Sequence, residues 1–211
     1  MRQGEVTVAG IGGSTRAGST TETALRAVLA EVERLGVRTV CLTAEDLVLP
    51  LYEWGGARGP RERRLAEVMG SATGLVLASP AYHGTMSGLM KNVLDYAEDL
   101  RGRSEPYFTG RPVGCVTVAQ GPQGGASALA SLRSAVHALR GWPTPLGVTV
   151  DTSRTTFAAD GRCLDPHARR HFEALAAQLV DFTRRTTARP LPGSGAGEGT
   201  GARAGTEPAR A

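Results

Sequence analysis

Gly13, Ser14, Thr15, Arg16, Ala17, Gly18, Ser19 and Thr20 follow a short apolar run and have the G-x-x-x-x-G-S-T spacing of a triphosphate loop, except that Ser19 stands where such a loop carries its lysine. The N-terminus of a helix attracts an anion unaided, because its first N–H groups have no helical carbonyl to bond and the aligned peptide dipoles leave partial positive charge there. The hydroxyls of Ser14, Ser19, Thr20 and Thr21 add donors, and Arg16 adds a full charge. A triphosphate with magnesium also needs a lysine at its outer phosphates, so this loop matches a terminal monophosphate better. Ser19 and Glu22 have the S-x-x-E spacing of a capping box, which would close a helix start with no ligand at all. Four hydroxyls and an arginine exceed what a cap requires. A dinucleotide turn is the other alternative, from Gly10, Gly12 and Gly13 with Glu45 or Asp46 for a ribose hydroxyl. However, its third glycine would fall at Thr15.

Two further stretches hold candidate site residues. In SPAYHGTMSGLMKNVLDY, residues 79 to 96, Pro80 ends an apolar run and Ala81, Tyr82 and His83 follow it into a loop. Gly84 and Thr85 then let backbone N–H groups face a ligand. Tyr82 could stack on a planar ligand or pack the rim of a pocket, and His83 could donate a hydrogen bond or shape the pocket mouth. The third stretch is QGPQGG, with Gln120, Gly121, Gly124 and Gly125 as candidate contacts. No acid–base pair stands out, and no side chain is assigned a catalytic role.

The elements that must position these loops are legible from periodicity. VTVAGI at 6 to 11 is a buried strand. The apolar positions Leu25, Val28, Leu29, Val32 and Leu35 then recur at helical spacing as far as Gly36. A strand at about 38 to 43, a long loop containing Pro50, and a short helix opened by Pro60 come next. Strands are expected at 74 to 80, 112 to 121 and 145 to 151, with helices at about 87 to 100, through Leu129 to Leu139, and from Asp165 to about Arg185. FAADGRC around Asp160 and Gly161 reads as a small hairpin. Five strands alternating with helices predict an α/β doubly wound parallel sheet with helices on both faces, whose ligands bind beyond the carboxyl ends of the strands. That domain is assigned to residues 1–188. The Gly/Ala/Pro-rich stretch 189–211 lacks any periodic apolar face and is expected to be disordered.

With these residues in place, the chain resembles the NADPH-dependent FMN reductase family of flavodoxin-like proteins. The family's G-S-x-R-x-x-S/T loop is matched by Gly13, Ser14, Arg16, Ser19 and Thr20. Its S-P-x-Y-[HN]-G loop, followed by small-G-x-L/M-K-N-x-L-D, is matched from Ser79 to Asp95. The likeness runs from about residue 6 to 185. It implies FMN as cofactor, its phosphate at Ser14 to Thr21 and its isoalloxazine beside Pro80 to Thr85, with NADPH or NADH as electron donor. It also implies a third contact at Gln120 to Gly125, where this chain departs from the small or hydroxylated residues usual in the family. Electrons would pass to free flavin, a quinone or another small acceptor, with a flavin-dependent monooxygenase among the possible partners. The Leu89 to Leu100 helix would form a face of a homodimer or homotetramer. Two alternatives accompany this reading: a dedicated reductase of a quinone-like intermediate in specialised metabolism, and a non-enzymatic flavodoxin-like electron carrier or redox sensor.

Composition narrows the field. The chain is 211 residues with a net charge of +4, spread thinly and almost entirely as arginine, which calls for no nucleic-acid groove. No apolar stretch is long enough to span a membrane and no secretory segment follows the N-terminus, so a cytoplasmic protein is expected. Cys41, Cys115 and Cys163 form neither a disulfide framework nor a zinc pattern. His167 and His171 lie one helical turn apart beside Arg169 and Arg170 and read as a solvated basic face. The run RGPRERR at 58 to 64 reads as a loop and an exposed first turn.

Overall fold

The structure, a computed structural model, describes residues 6–188; the expected tail from 189 onward lies outside the described residues. In chain order the elements are β1 (Thr7–Gly12), α1 (Thr20–Arg34), β2 (Arg38–Leu42), α2 (Ala44–Leu47), α3 (Pro60–Ser71), β3 (Gly74–Tyr82), β4 (Thr85–Met86) and α4 (Gly88–Asp95). A 3₁₀ turn (Tyr96–Leu100) follows, then β5 (Pro112–Ala119), α5 (Pro122–Ala138), β6 (Trp142–Pro143), β7 (Val148–Asp151) and α6 (Pro166–Ala188).

Strands β2, β1, β3 and β5 lie side by side in parallel, and β6 and β7 pair in turn with the two halves of β5. The expected fifth strand is thus a single sheet position interrupted between Pro143 and Val148. The two-residue β4 is a return from the end of β3. The flavodoxin-like doubly wound fold holds, because strand order reverses between β1 and β3 and opens a crevice beyond their carboxyl ends.

Burial on both faces explains the near-continuous apolar strands. On one side Leu25, Val28 and Val32 of α1 pack with Phe172, Leu175 and Leu179 of α6 against Val8, Val76 and Val116. On the other, Leu65 and Met69 of α3, Met90 and Val93 of α4 and Leu132 and Val136 of α5 cover Ile11, Leu75, Leu77 and Cys115. Burial pushes the Cys115 thiol up to about 12, which leaves it an inert core group.

Three features of this frame depart from the periodicity reading. The long loop after β2 begins with α2, closed by Asp46 accepting the Thr43 N–H at 3.2 Å. Asp46 is therefore spent on a helix cap. The helix expected over 87 to 100 is α4 plus a 3₁₀ turn that keeps Ala97 and Leu100 in the same core. Arg58, from the basic run, is stacked 4.8 Å from the Tyr52 ring and 5.3 Å from the Tyr96 ring. It grips Asp99 through two bonds of 2.7 and 2.9 Å, so it is a structural anchor. Phe157 and Cys163 form the single antiparallel bridge of the expected hairpin, turned by Gly161 at φ 83°.

The 50–52 segment hangs on Asn92 of α4. Its Oδ1 accepts the Tyr52 N–H at 2.8 Å and its Nδ2 donates to the Pro50 carbonyl at 2.9 Å, which also accepts the Tyr96 hydroxyl. Replacing Asn92 with leucine leaves the Tyr52 N–H unpaired. We expect a loss of about 1–3 kcal/mol in urea denaturation, and a variant as stable as wild type would contradict this role.

Candidate functional site

A cavity of about 520 Å3 opens beyond the carboxyl ends of β1, β3 and β5, lined by Ser14, Thr15, Arg16, Ser19, Thr20, Thr21, Pro80, Ala81, Tyr82, Val118, Ala119, Gln120 and Thr152. Its volume suits a drug-sized or cofactor-sized ligand. Three loops build it, and each is fixed by hydrogen bonds to parts of the chain distant in sequence.

The first loop runs from Gly13 into α1. Ser19 is the N-cap, accepting the Glu22 N–H at 3.2 Å, and it is only 4% exposed. Glu22 does not reach back to the cap residue itself; its Oε2 takes the Gly18 N–H at 3.0 Å while Oε1 holds Arg26. The Thr20 and Thr21 N–H groups lie in the first helical turn, where no helical carbonyl precedes them, and both residues line the cavity with Ser19. Arg16 is exposed and is the sole cationic side chain of the lining.

This loop is pinned from below. Gly13 donates to Ala78 O at 2.7 Å, and its carbonyl accepts the Ser87 hydroxyl at 2.6 Å. Ser87 is also the N-cap of α4, accepting the Met90 N–H, and its own N–H bonds Ser79 Oγ at 2.9 Å. A Cβ on Gly13 would stand 2.8 Å from Met90 Cβ and 3.2 Å from Ser87 Oγ, so only glycine lets the loop pass this close to α4.

The second loop is a hairpin. Ala81 pairs with Met86 and Tyr82 with Thr85, leaving His83 and Gly84 as a two-residue turn with φ of 52° and 82°. Positive φ at both positions is the type I′ geometry that continues the strand twist, and histidine is among the residues enriched in that left-handed region. His83 therefore has a conformational task, and its side chain lies outside the cavity lining. The turn docks on α5, where Ser127 donates to the Gly84 carbonyl at 2.7 Å and Thr85 bonds Ser131 at 2.8 Å. Tyr82, 56% exposed, stands at the rim.

The third loop is shorter than expected, because α5 begins at Pro122. Gly124 and Gly125 are helical, and Gly125 is buried where a Cβ would strike Thr149 at 2.1 Å. Gly121, the N-cap, donates its N–H to Asp151 Oδ1 at 3.0 Å. Hydrogen bonds from the Ser153 hydroxyl, the Ser153 N–H and the Gly121 N–H hold the Asp151 carboxyl below the usual aspartate range.

Of the sequence-expected site residues, Ser14, Arg16, Ser19, Thr20, Thr21, Pro80, Ala81, Tyr82 and Gln120 meet around this one cavity. His83, Gly84, Thr85, Gly121, Gly124 and Gly125 are not part of its lining. Thr15, inside the stretch expected to hold a phosphate, completes the lining with Val118, Ala119 and Thr152, which were not anticipated. The position of Thr152, right after a strand ending in aspartate, was the available signal. Among the described residues no cluster of three His, Cys, Asp or Glu could hold a metal, and His167 and His171 simply meet edge to face on α6 with ring centres 4.2 Å apart.

Comparison with known proteins agrees with this architecture. The family model described as NADPH-dependent FMN reductase matches residues 6–155. An NAD(P)H-dependent FMN reductase from Pseudomonas aeruginosa is 29% identical over 188 residues, covering 86% of this chain and 97% of that relative. An NADPH azoreductase from Bacillus sp. (strain OY1-2) is 34% identical over 105 residues, about half of each chain: 49% of this one and 56% of the relative. Among solved structures, a flavoenzyme NAD(P)H:(acceptor) oxidoreductase from Paracoccus denitrificans superposes with a TM-score of 0.69 at 22% identity, over 85% of this chain and 98% of that one.

Two outcomes follow from the geometry. Gly13→Ala forces α4 and the loop apart, so it should lower the melting temperature by several degrees, equivalent to about 1–3 kcal/mol; unchanged melting would show that the close approach is dispensable. His83→Asn should be neutral in stability, whereas His83→Val, β-branched at positive φ, should cost about 1–3 kcal/mol. Equal melting of the two variants would refute the turn assignment.

Proposed function

We propose that this chain, which belongs to the NADPH-dependent FMN reductase family, binds FMN in the crevice between β1, β3 and β5 and uses it to move electrons from NADPH or NADH to a small acceptor. The observation that carries the reading is the donor set of the cavity. A helix N-terminus, hydroxyl groups and one arginine converge at its β1 end, while its β3 and β5 ends are lined by Pro80, Ala81, Tyr82, Val118 and Ala119 together with the uncharged polar Gln120 and Thr152. Such a polarity gradient matches a ligand with an anionic phosphate at one end and a planar, largely apolar ring at the other.

Bound FMN supplies the redox chemistry, accepting hydride at its N5 from the reduced nicotinamide. The residues of the chain bind and orient. The Thr20 and Thr21 N–H groups with Arg16 would hold the phosphate dianion, and the Ser14, Ser19 and Thr20 hydroxyls would donate to its remaining oxygens. Pro80, Ala81 and Val118 would exclude water from the ring. The lining contains no carboxylate, histidine or thiol, which suits a reaction whose bond changes occur on the cofactor.

Several finer features belong to the same reading. The open rim beside exposed Tyr82 favours a planar aromatic acceptor, whether free flavin, a quinone or a quinone-like intermediate. A homodimer is supported by Leu51 and Trp54, 84% and 66% exposed on a segment that Arg58 and Asn92 hold rigid. A cytoplasmic setting is supported by three unpaired cysteines. Among the described residues no helix is long and apolar enough to cross a membrane.

Phosphate recognition gives the test. FMN should bind at least about tenfold more tightly than riboflavin in fluorescence-quenching titrations, since a charge-assisted hydrogen bond contributes about 1.5–3 kcal/mol. Arg16→Glu should erase most of that preference while leaving riboflavin affinity near wild type. Equal affinity for the two flavins in the wild type would contradict a phosphate at this loop.

A further inference from the structure

The wall of the cavity at Ala119 and Gln120 is built on a backbone geometry that nothing in its own segment explains. Only Gln120 and Gly121 separate the end of β5 from the start of α5. Gly121 sits at φ 98° and ψ 153°, a region open essentially to glycine alone. A Cβ there would meet nothing within 4 Å, so crowding does not impose this conformation. As N-cap, Gly121 has no side chain with which to bond the helix start, and Pro122 has no N–H to offer.

The anchor comes from the neighbouring strand. Asp151, the last residue of β7, is paired with Ala119, and its Oδ1 accepts the Gly121 N–H at 3.0 Å. The carboxylate is itself immobilised by the Ser153 N–H at 3.0 Å and the Ser153 hydroxyl at 2.7 Å. One residue on, the Thr152 N–H bonds the Ala119 carbonyl at 2.9 Å. Ala119, Gln120 and Thr152 line the cavity and Asp151 does not.

We infer that Asp151 is a positioning residue for the ligand cavity: by bonding the Gly121 N–H it fixes the Ala119–Gln120 wall and so sets the affinity for FMN. The role rests on FMN being the occupant, as proposed above. It requires only a hydrogen-bond acceptor at Oδ1, which asparagine retains and alanine lacks.

The experiment compares the wild type, Asp151→Asn and Asp151→Ala by FMN titration, with the melting temperature of each flavin-free protein measured in parallel. The alanine variant should bind FMN about ten- to hundredfold more weakly, as expected for losing a hydrogen bond to a charged group. The asparagine variant should stay within about threefold of wild type. Wild-type affinity in the alanine variant, or asparagine as damaging as alanine, overturns the assignment. So does a fall in flavin-free melting temperature with no change in Kd, which would mark a purely structural aspartate. Should the alanine variant fail to fold, Gly121→Ala tests the same wall, and unchanged FMN affinity there refutes the role. A wild type that binds no FMN would instead remove the functional reading beneath it, a result visible before any variant is made.

Discussion

The Ser87 hydroxyl is the point on which the cavity depends. It donates to the Gly13 carbonyl, caps α4 by accepting the Met90 N–H, and sits one bond from Ser79 at the end of β3. The β1 loop is thereby joined to the end of β3 and the start of α4, both remote from it in sequence, by one buried polar knot in which every side-chain partner is satisfied. Its geometry explains why Gly13 must lack a side chain and why a small hydroxylated residue precedes Gly88. It also explains how the floor of the first loop is held in place with no ligand contact. The loop above is then free to spend its donors on an anion.

Electrostatics complete the division of labour. Glu22 takes the Gly18 N–H and is itself neutralised by Arg26 at 2.8 Å, so the acidic cap shapes the loop without leaving an unpaired carboxylate beside the anion site. The N–H groups of the first turn of α1 and Arg16 remain for the ligand. On the far side, Asp151 keeps its charge and directs it at Gly121 and Ser153. The cavity is thus positive at one end and nearly uncharged elsewhere, and no side chain in its lining is placed for acid–base work. Chemistry there has to arrive with a cofactor, the protein supplying binding and orientation.

Much of this was legible in the sequence. Apolar periodicity located the main strands and helices, because strands buried on both faces leave unbroken Val/Ile/Leu/Ala runs and α1 leaves a clear stripe. The Ser19 to Glu22 spacing located the helix start that makes the anion site. What stayed hidden depends on contacts between distant segments. Gly124 and Gly125 read as a loop because glycine disfavours helices, yet close packing of α5 on Thr149 requires the second of them inside one. His83 read either as a hydrogen-bond donor or as a shaper of the pocket mouth, and its backbone φ of 52° gives it a turn to make. Asp151 and Thr152 lie some thirty residues from the loop they support, and only the pairing of β5 with β7 brings them together.

Anaerobic visible spectroscopy of the FMN-loaded protein, before and after NADPH and, separately, NADH, tests the central claim most directly. The flavin band should bleach rapidly with at least one of the two nucleotides. A flavin that binds but stays oxidised with both would contradict that claim.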